Sequence, residues 1–137
     1  MDLPQKFIAS VYANRGSVVY TEPGSVIQTD HGKFLVVINR IEDSVKYVVV
    51  NHKENRYAQS CEQPKVTKQD APCLCKYPIS YVDCSQVFSM DFGKFEEGFS
   101  EKKFVAKGKM APEAMARISD AGLRSPKLRG FEKEWFK

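Results

Sequence analysis

Long apolar runs are missing from this chain, and no stretch approaches the roughly 18 consecutive apolar residues that a membrane-spanning helix needs. The first residues, MDLPQKFIASVYANRG, have an acidic second residue and no long apolar segment of the kind that a secretory signal contains. We therefore expect a cytoplasmic protein with no membrane partner. At 137 residues the chain is expected to form a single domain, long enough to bury a core without covalent staples.

The motifs of several common enzyme classes are also missing. The sequence contains no glycine-rich phosphate loop, no His-x-x-x-His pair and no serine or cysteine nucleophile motif. Histidine is scarce, with only His31 and His52 present. Hydrolases of these classes are therefore poorly supported.

Cysteine occurs four times, but without the spacing of a zinc knuckle. Cys73 and Cys75 are separated by one residue, whereas two thiolates that reach one tetrahedral ion from a tight turn usually have two residues between them. We expect reduced thiols, some of them packed as small hydrophobic groups, and no metal or other cofactor. A zinc site that uses these cysteines is the less favoured alternative.

Charge is unevenly distributed along the chain. The net charge is +4, and residues 101–137 hold ten Lys or Arg against five Asp or Glu. A basic C-terminal segment of this kind either binds phosphates or forms a solvated helical face, and the composition alone leaves both interpretations open.

Two β-branched runs form the clearest pattern in the sequence. Residues 36–38 (Val-Val-Ile) and 48–50 (Val-Val-Val) predict two antiparallel strands that are joined by a polar connection around residues 42–44. Pro23-Gly24 predicts a turn before a further strand at residues 25–28, which precedes this pair and is the first of the three in chain order. Because the runs are continuously apolar, we expect strands covered on both faces, as in a small closed β-barrel.

The rest of the chain carries weaker signals. We expect a short helix within residues 3–20, an edge strand at 17–21, a surface loop or broken strand at 53–76, a strand at 77–89 and a turn at 91–100. Residues 110–123 are the clearest helix, since Pro112 and Glu113 suit its first turn. Phe131, Trp135 and Phe136 predict a short terminal helix that docks on the core. The single domain would comprise an N-terminal extension (1–21), a barrel (22–100) and a C-terminal strand, helix and basic tail (101–137).

This order of elements resembles the MazF/PemK family of toxin endoribonucleases. The matching pieces are residues 23–27 (PGSVI), 31–38 (HGKFLVVI), 48–52 (VVVNH), 81–89 (YVDCSQVFS) and 108–123, which begin with Gly-Lys-Met. The resemblance implies a mostly β, SH3-like barrel with a C-terminal helix, usually found as a homodimer. It also implies a toxin of a toxin–antitoxin system that cleaves single-stranded RNA without a metal ion and binds an antitoxin or another protein partner.

The sequence departs from the family pattern at the catalytic positions. Lys33-Phe34 stands where the family shows Arg-Pro, and Asn51-His52-Lys53 stands where it shows Thr or Ser after the third strand. Lysine neutralises a phosphate as a point charge and lacks the bidentate fork of arginine. Phe88 occupies a position where relatives often carry a basic residue.

A rebuilt ribonuclease site is the first interpretation of these departures. Because the start of the second strand and the end of the third lie at the same end of an antiparallel sheet, the two histidines and Lys33 can be neighbours. Histidine exchanges protons at neutral pH and lysine can neutralise a phosphate, which is the composition that RNA transesterification needs. The candidate catalytic residues are His52, Lys33 and His31, and the candidate RNA-binding residues are Lys53, Arg56, Asn51 and Phe88.

Two other interpretations remain open. In one, the barrel has lost catalysis and binds nucleic acid or protein as a regulator or inhibitor, with exposed aromatic rings as platforms for bases. The candidate rings are those of Tyr47, Tyr57, Tyr77, Tyr81 and Phe88, although aromatics at strand spacing more often belong to a core. In the other, the chain is a structural or interaction module that is unrelated to the family.

Overall fold

A curled, six-stranded antiparallel sheet is the centre of the structure. The structure is a computed structural model, and it describes residues 4–24, 32–74 and 76–137. The strands are β1 (Ser17–Thr21), β2 (Lys33–Ile41), β3 (Ser44–Asn51), β4 (Lys65–Val66), β5 (Ser80–Asp91) and β6 (Phe104–Lys109). Their order across the sheet is β4-β5-β3-β2-β1-β6.

Four α-helices in the described part of the chain accompany the sheet. They are α1 (Gln5–Tyr12), α2 (Phe92–Ser100), α3 (Pro112–Leu123) and α4 (Gly130–Glu134), and two short 3₁₀ helices span Arg56–Ala58 and Pro72–Leu74. Among the described residues, no helix has the length and apolar character required to cross a membrane.

The central strands are buried on both faces because each face is covered by different helices. On one face, Val36 and Val48 pack in a core that includes Ile118 of α3 and Phe136. On the other face, Val37 packs in a core that includes α1 and the phenylalanines of α2. This two-sided burial explains why residues 36–38 and 48–50 are continuously apolar instead of alternating with polar residues.

The mostly β class and the antiparallel pairing of β2 with β3 are confirmed. The connection between them is a tight turn at Glu42 and Asp43, where Glu42 has a φ of 56°. The described strands do not close into the expected barrel, since the sheet ends in β4 at one edge and β6 at the other. The strand predicted at residues 25–28 lies outside the described residues.

Several local predictions are confirmed and two are corrected. Helices α1, α3 and α4 lie where the sequence predicts helices, and Phe136 docks in the core as expected. The predicted edge strand at residues 17–21 is instead an inner strand, because β1 pairs with β2 on one side and with β6 on the other.

The predicted turn at residues 91–100 is wrong, because most of this stretch is helix α2. Gly93 and Gly98 suggested a turn, but Phe92, Phe95 and Phe99 have the i, i+3, i+7 spacing of one helical face. Phe95 and Phe99 are buried, and their rings pack against the Phe104 ring of β6 at centroid distances of 5.9 and 5.8 Å. Tertiary burial therefore outweighs the low helix propensity of the two glycines.

Gly98→Ala should destabilise the protein by about 1–3 kcal/mol, although alanine is the better helix former. A Cβ at residue 98 would overlap the ring of Phe104, and that ring is buried and cannot move aside easily. Urea unfolding monitored by circular dichroism measures the difference.

Gly93→Ala is the matched control in the same helix, because nothing lies within 4 Å of a Cβ at that position. It should leave the free energy of unfolding unchanged or raise it by up to about 1 kcal/mol. Equal effects of the two substitutions would contradict the close approach of α2 to β6.

Candidate functional site

A groove of about 420 Å³ opens where β2 begins and β3 ends; we call it the central groove. Its lining includes Lys33 from the start of β2, Asn51 from the end of β3 and Asp83 from β5. Phe34 pairs with Val50, and Val49 pairs with Asp83, so the antiparallel register brings these three strand positions together. Successive side chains alternate between faces, which places Lys33, Asn51 and Asp83 on the same face of the sheet.

A wide bulge in β5 shapes one wall of the central groove. Asp83 lies opposite Val49 and Phe88 lies opposite Tyr47, so four residues of β5 face only Val48 of β3. Gln86, which lies within this bulge, and Phe88, which follows it, both line the groove. Bulges of this kind redirect side chains next to binding sites.

Lys33 is held in place by its neighbour on β3. Its Nζ donates a hydrogen bond to Oδ1 of Asn51 at 2.7 Å. Partial burial lowers the pKa of Lys33, and the nearby negative charge of Asp83 opposes this shift. The groove therefore presents a cation whose proton is held less firmly than that of an exposed lysine.

Asp83 is a buried carboxylate with partners on both oxygens. Its Oδ1 accepts hydrogen bonds from the backbone N–H of Ser85 at 2.9 Å and from the Ser85 hydroxyl at 2.5 Å. Its Oδ2 accepts a hydrogen bond from Nδ2 of Asn55 at 3.0 Å. Asn55 also exchanges hydrogen bonds through its backbone with the side chain of Gln63. Asp83 thus anchors the loop that follows His52 and Lys53.

His52 lies at the boundary between the central groove and a neighbouring cavity. Its exposed ring stacks on that of Tyr77, with centroids 4.6 Å apart and an interplanar angle of 16°. Lys33, Asn51 and His52 all line both spaces. We call these three residues the ridge between the two spaces. The ridge combines a cation with an imidazole, the type of side chain that exchanges protons at neutral pH.

The structure brings together five of the residues that the sequence selects. Those that line the central groove are Lys33, Asn51, His52, Lys53 and Phe88. Arg56 is exposed at the start of the first 3₁₀ helix and does not line this groove. His31 lies outside the described residues.

Sequence reasoning missed the polar residues that support the groove, namely Asp83, Asn55 and Gln86. A charged residue inside the mostly apolar run at 81–84 was the available signal for Asp83. Asn55 and Gln86 carry no comparable signal, because a loop fold and a bulge place them at the site.

The aromatic residues divide between core and surface. Tyr47 is buried, and burial raises its pKa to about 12, while the ring of Phe88 stacks on it with centroids 5.6 Å apart. Tyr57 is 84 % exposed, and Tyr77 is also exposed. Tyr47 is therefore a core residue, whereas Tyr57 offers a ring at the surface and the exposed ring of Tyr77 is stacked on His52.

Metal-ligating side chains do not cluster in the described part of the chain. Within residues 4–24, 32–74 and 76–137, no three His, Cys, Asp or Glu side chains are placed to hold a metal ion together. Cys75, one of the two closely spaced cysteines, lies outside these ranges.

No protein-family model matches the chain, and no curated protein matches it. The chemistry of the site must therefore be argued from the groove itself. It offers a partly buried cation, an exposed imidazole, amide side chains and the ring of Phe88, together with the carboxylates of Glu54 and Asp83. The cation, imidazole and ring suit an anionic ligand with flat, stacking groups.

Lys33 should titrate below the ordinary lysine pKa of 10.5, because burial disfavours its charged form. Asp83→Asn should lower the pKa of Lys33 further, since it removes the negative charge that opposes the shift. Side-chain NMR of the lysine Cε–Hε signals during a pH titration measures both effects.

The same shift predicts a pH dependence of stability. The pKa of Lys33 is lower in the folded protein than the ordinary value of 10.5, so the unfolded chain binds the proton more tightly. The contribution of Lys33 to the free energy of unfolding should therefore rise with pH between its folded pKa and 10.5. Lys33→Met should remove this rise and Lys94→Met should retain it; identical pH profiles for the two variants would contradict the assignment.

Proposed function

We propose that this protein binds single-stranded RNA in the central groove and cleaves it without a metal ion, in the manner of MazF/PemK toxins. The observation that carries the proposal is the placement of Lys33 and His52 on one ridge, with Asn51, Lys53 and Phe88 beside them. The resemblance in the order of sequence elements supports the same assignment.

The chemistry needs one proton acceptor and one cation near a phosphate. In the proposed reaction, the imidazole of His52 accepts the proton of a ribose 2′-hydroxyl while the 2′-oxygen attacks the adjacent phosphorus. The bond from phosphorus to the 5′-oxygen breaks, and that oxygen takes a proton from water. Lys33 stabilises the extra negative charge of the phosphorane. The products are a 2′,3′-cyclic phosphate and a 5′-hydroxyl.

The proposal includes the fold and the partners that the resemblance implies. The curled antiparallel sheet and the helix after its last strand support an SH3-like fold. Among the described residues the sheet does not close into a barrel, and β4 and β6 are its two edges. An antitoxin or another protein partner and a homodimer belong to the same proposal, as does a cytoplasmic location, where RNA substrates occur.

An RNA-binding regulator without turnover is the second candidate. The observation that favours it is the 2.7 Å hydrogen bond between Lys33 Nζ and Asn51 Oδ1, which already uses one of the three donors of that ammonium group. None of the described residues that line the central groove is an arginine, so the bidentate phosphate contact of the family is not reproduced there.

Cleavage of a long single-stranded RNA in EDTA tests the proposal. Wild type should release fragments with cyclic phosphate ends, and His52→Ala should slow cleavage by about 10²- to 10⁴-fold, the usual effect of losing a general base. Lys33→Ala should also slow it strongly. Gel analysis with end-group determination measures both rates and products.

Lys94→Ala is the matched control, because Lys94 is exposed and lies outside the central groove. It should cleave like wild type. Full activity in His52→Ala would remove that residue from the mechanism, and RNA binding by wild type without any cleavage would select the regulator instead.

A further inference from the structure

The central groove continues into a cavity on each side. One neighbouring cavity shares Lys33, Asn51 and His52 with it, and we call it the lysine cavity. The other shares Asn55, Gln86 and Phe88, and we call it the C-terminal cavity. The described surface therefore carries three adjoining spaces in a row, with the central groove in the middle.

The lysine cavity has the largest excess of positive charge among the three spaces. Its lining includes Lys33, Lys76 and Lys107, and its described lining residues include no carboxylate. Aromatic rings lie beside the lysines, since Tyr20 and Tyr77 line the same space and Lys76 Nζ is 5.6 Å from the ring centroid of Tyr77. Ammonium groups beside the half-buried ring of Tyr20 and the exposed ring of Tyr77 suit a phosphate and its attached base.

The C-terminal cavity has a volume of about 490 Å³ and combines the same two kinds of group. Lys127 and Arg129 line it, together with the highly exposed Tyr57. Lys127 Nζ donates to the backbone oxygen of Tyr57 at 3.4 Å, which holds this cation next to the Tyr57 backbone. One carboxylate, that of Glu132, also lines the cavity and lies 3.7 Å from Arg129 Nε.

We propose that single-stranded RNA crosses all three spaces, so that Lys76 and Lys107 bind phosphates on one side of the scissile bond and Lys127 and Arg129 bind them on the other. This inference rests on the proposed function and extends it from the reacting nucleotides to the nucleotides that flank them. It also assigns a role to the basic C-terminal segment, which the sequence left undecided between phosphate binding and a solvated face.

The positive charge of the two flanking cavities explains how RNA binds along a path whose central groove carries little net charge. The lining of the central groove contains two lysines, Lys33 and Lys53, and two carboxylates, Glu54 and Asp83. Without His52, its formal charge is therefore zero. Affinity for the RNA backbone depends on the number of phosphates neutralised, and here the net positive charge lies at the two ends of the path. Long RNA should therefore bind much more tightly than short RNA.

Fluorescence anisotropy with 2′-O-methyl oligonucleotides tests this inference, because these ligands lack the attacking hydroxyl and cannot be cleaved by the proposed reaction. We expect wild type to bind an oligonucleotide of about twelve nucleotides at least tenfold more tightly than one of about four. The variants Lys76→Ala/Lys107→Ala and Lys127→Ala/Arg129→Ala should each weaken binding of the long ligand and leave the short one nearly unaffected.

Salt dependence provides a second readout. Each double variant removes two proposed phosphate contacts, so the slope of log K against log [salt] for the long ligand should fall by about 1.4. The control Lys68→Ala/Lys94→Ala removes the same charge at exposed positions outside the three spaces and should leave the slope nearly unchanged. Circular dichroism and urea unfolding check that all variants remain folded.

The outcomes separate this inference from the proposed function. If the long and short ligands bind equally, or if the control lowers the slope as much as the two test variants, the flanking sites are excluded and the central groove remains the RNA site. If neither ligand binds wild type, both proposals are excluded. A single-stranded DNA of the same length, compared in parallel, shows whether the path selects ribose or reads only phosphates and bases.

Discussion

Burial of β2 and β3 on both faces is the constraint on which the rest of the structure depends. A slip of one residue in either strand would move every side chain to the opposite face, and each face is already filled by a different set of helices. Packing, together with the tight turn at Glu42 and Asp43, therefore fixes the register. Lys33 and Asn51 lie at the ends of these two strands, so the packing of the apolar residues within the strands also sets their positions.

The same constraint explains which features could be predicted from the sequence. The strand pair and helix α3 follow from local patterns, and the grouping of Lys33, Asn51 and His52 follows from antiparallel geometry. Helix α2 was missed because two glycines masked a phenylalanine face whose burial depends on β6. Asp83 and Asn55 were missed as a pair because their contact joins residues 28 positions apart through a loop and a bulge.

The site differs from a phosphate clamp built on arginine. A single ammonium group, partly buried and bonded to Asn51, supplies the positive charge at the ridge. Such a group gives less geometric control over a phosphate than a guanidinium fork. The surrounding amides and the ordered Asp83 network supply rigidity in its place, since both oxygens of that carboxylate hold the wall and the loop of the groove together.

Helix α4 has only five residues and would fray rapidly as an isolated segment. Phe136, just beyond it, is nevertheless fully buried, and the side chains of Arg15 and Asn39 donate hydrogen bonds to the backbone oxygens of Phe136 and Trp135. These contacts join Phe136 to the segment just before β1 and Trp135 to β2. Burial of Phe136 and these two hydrogen bonds therefore hold α4, which begins directly after Arg129, on the core although the helix is too short to be stable alone.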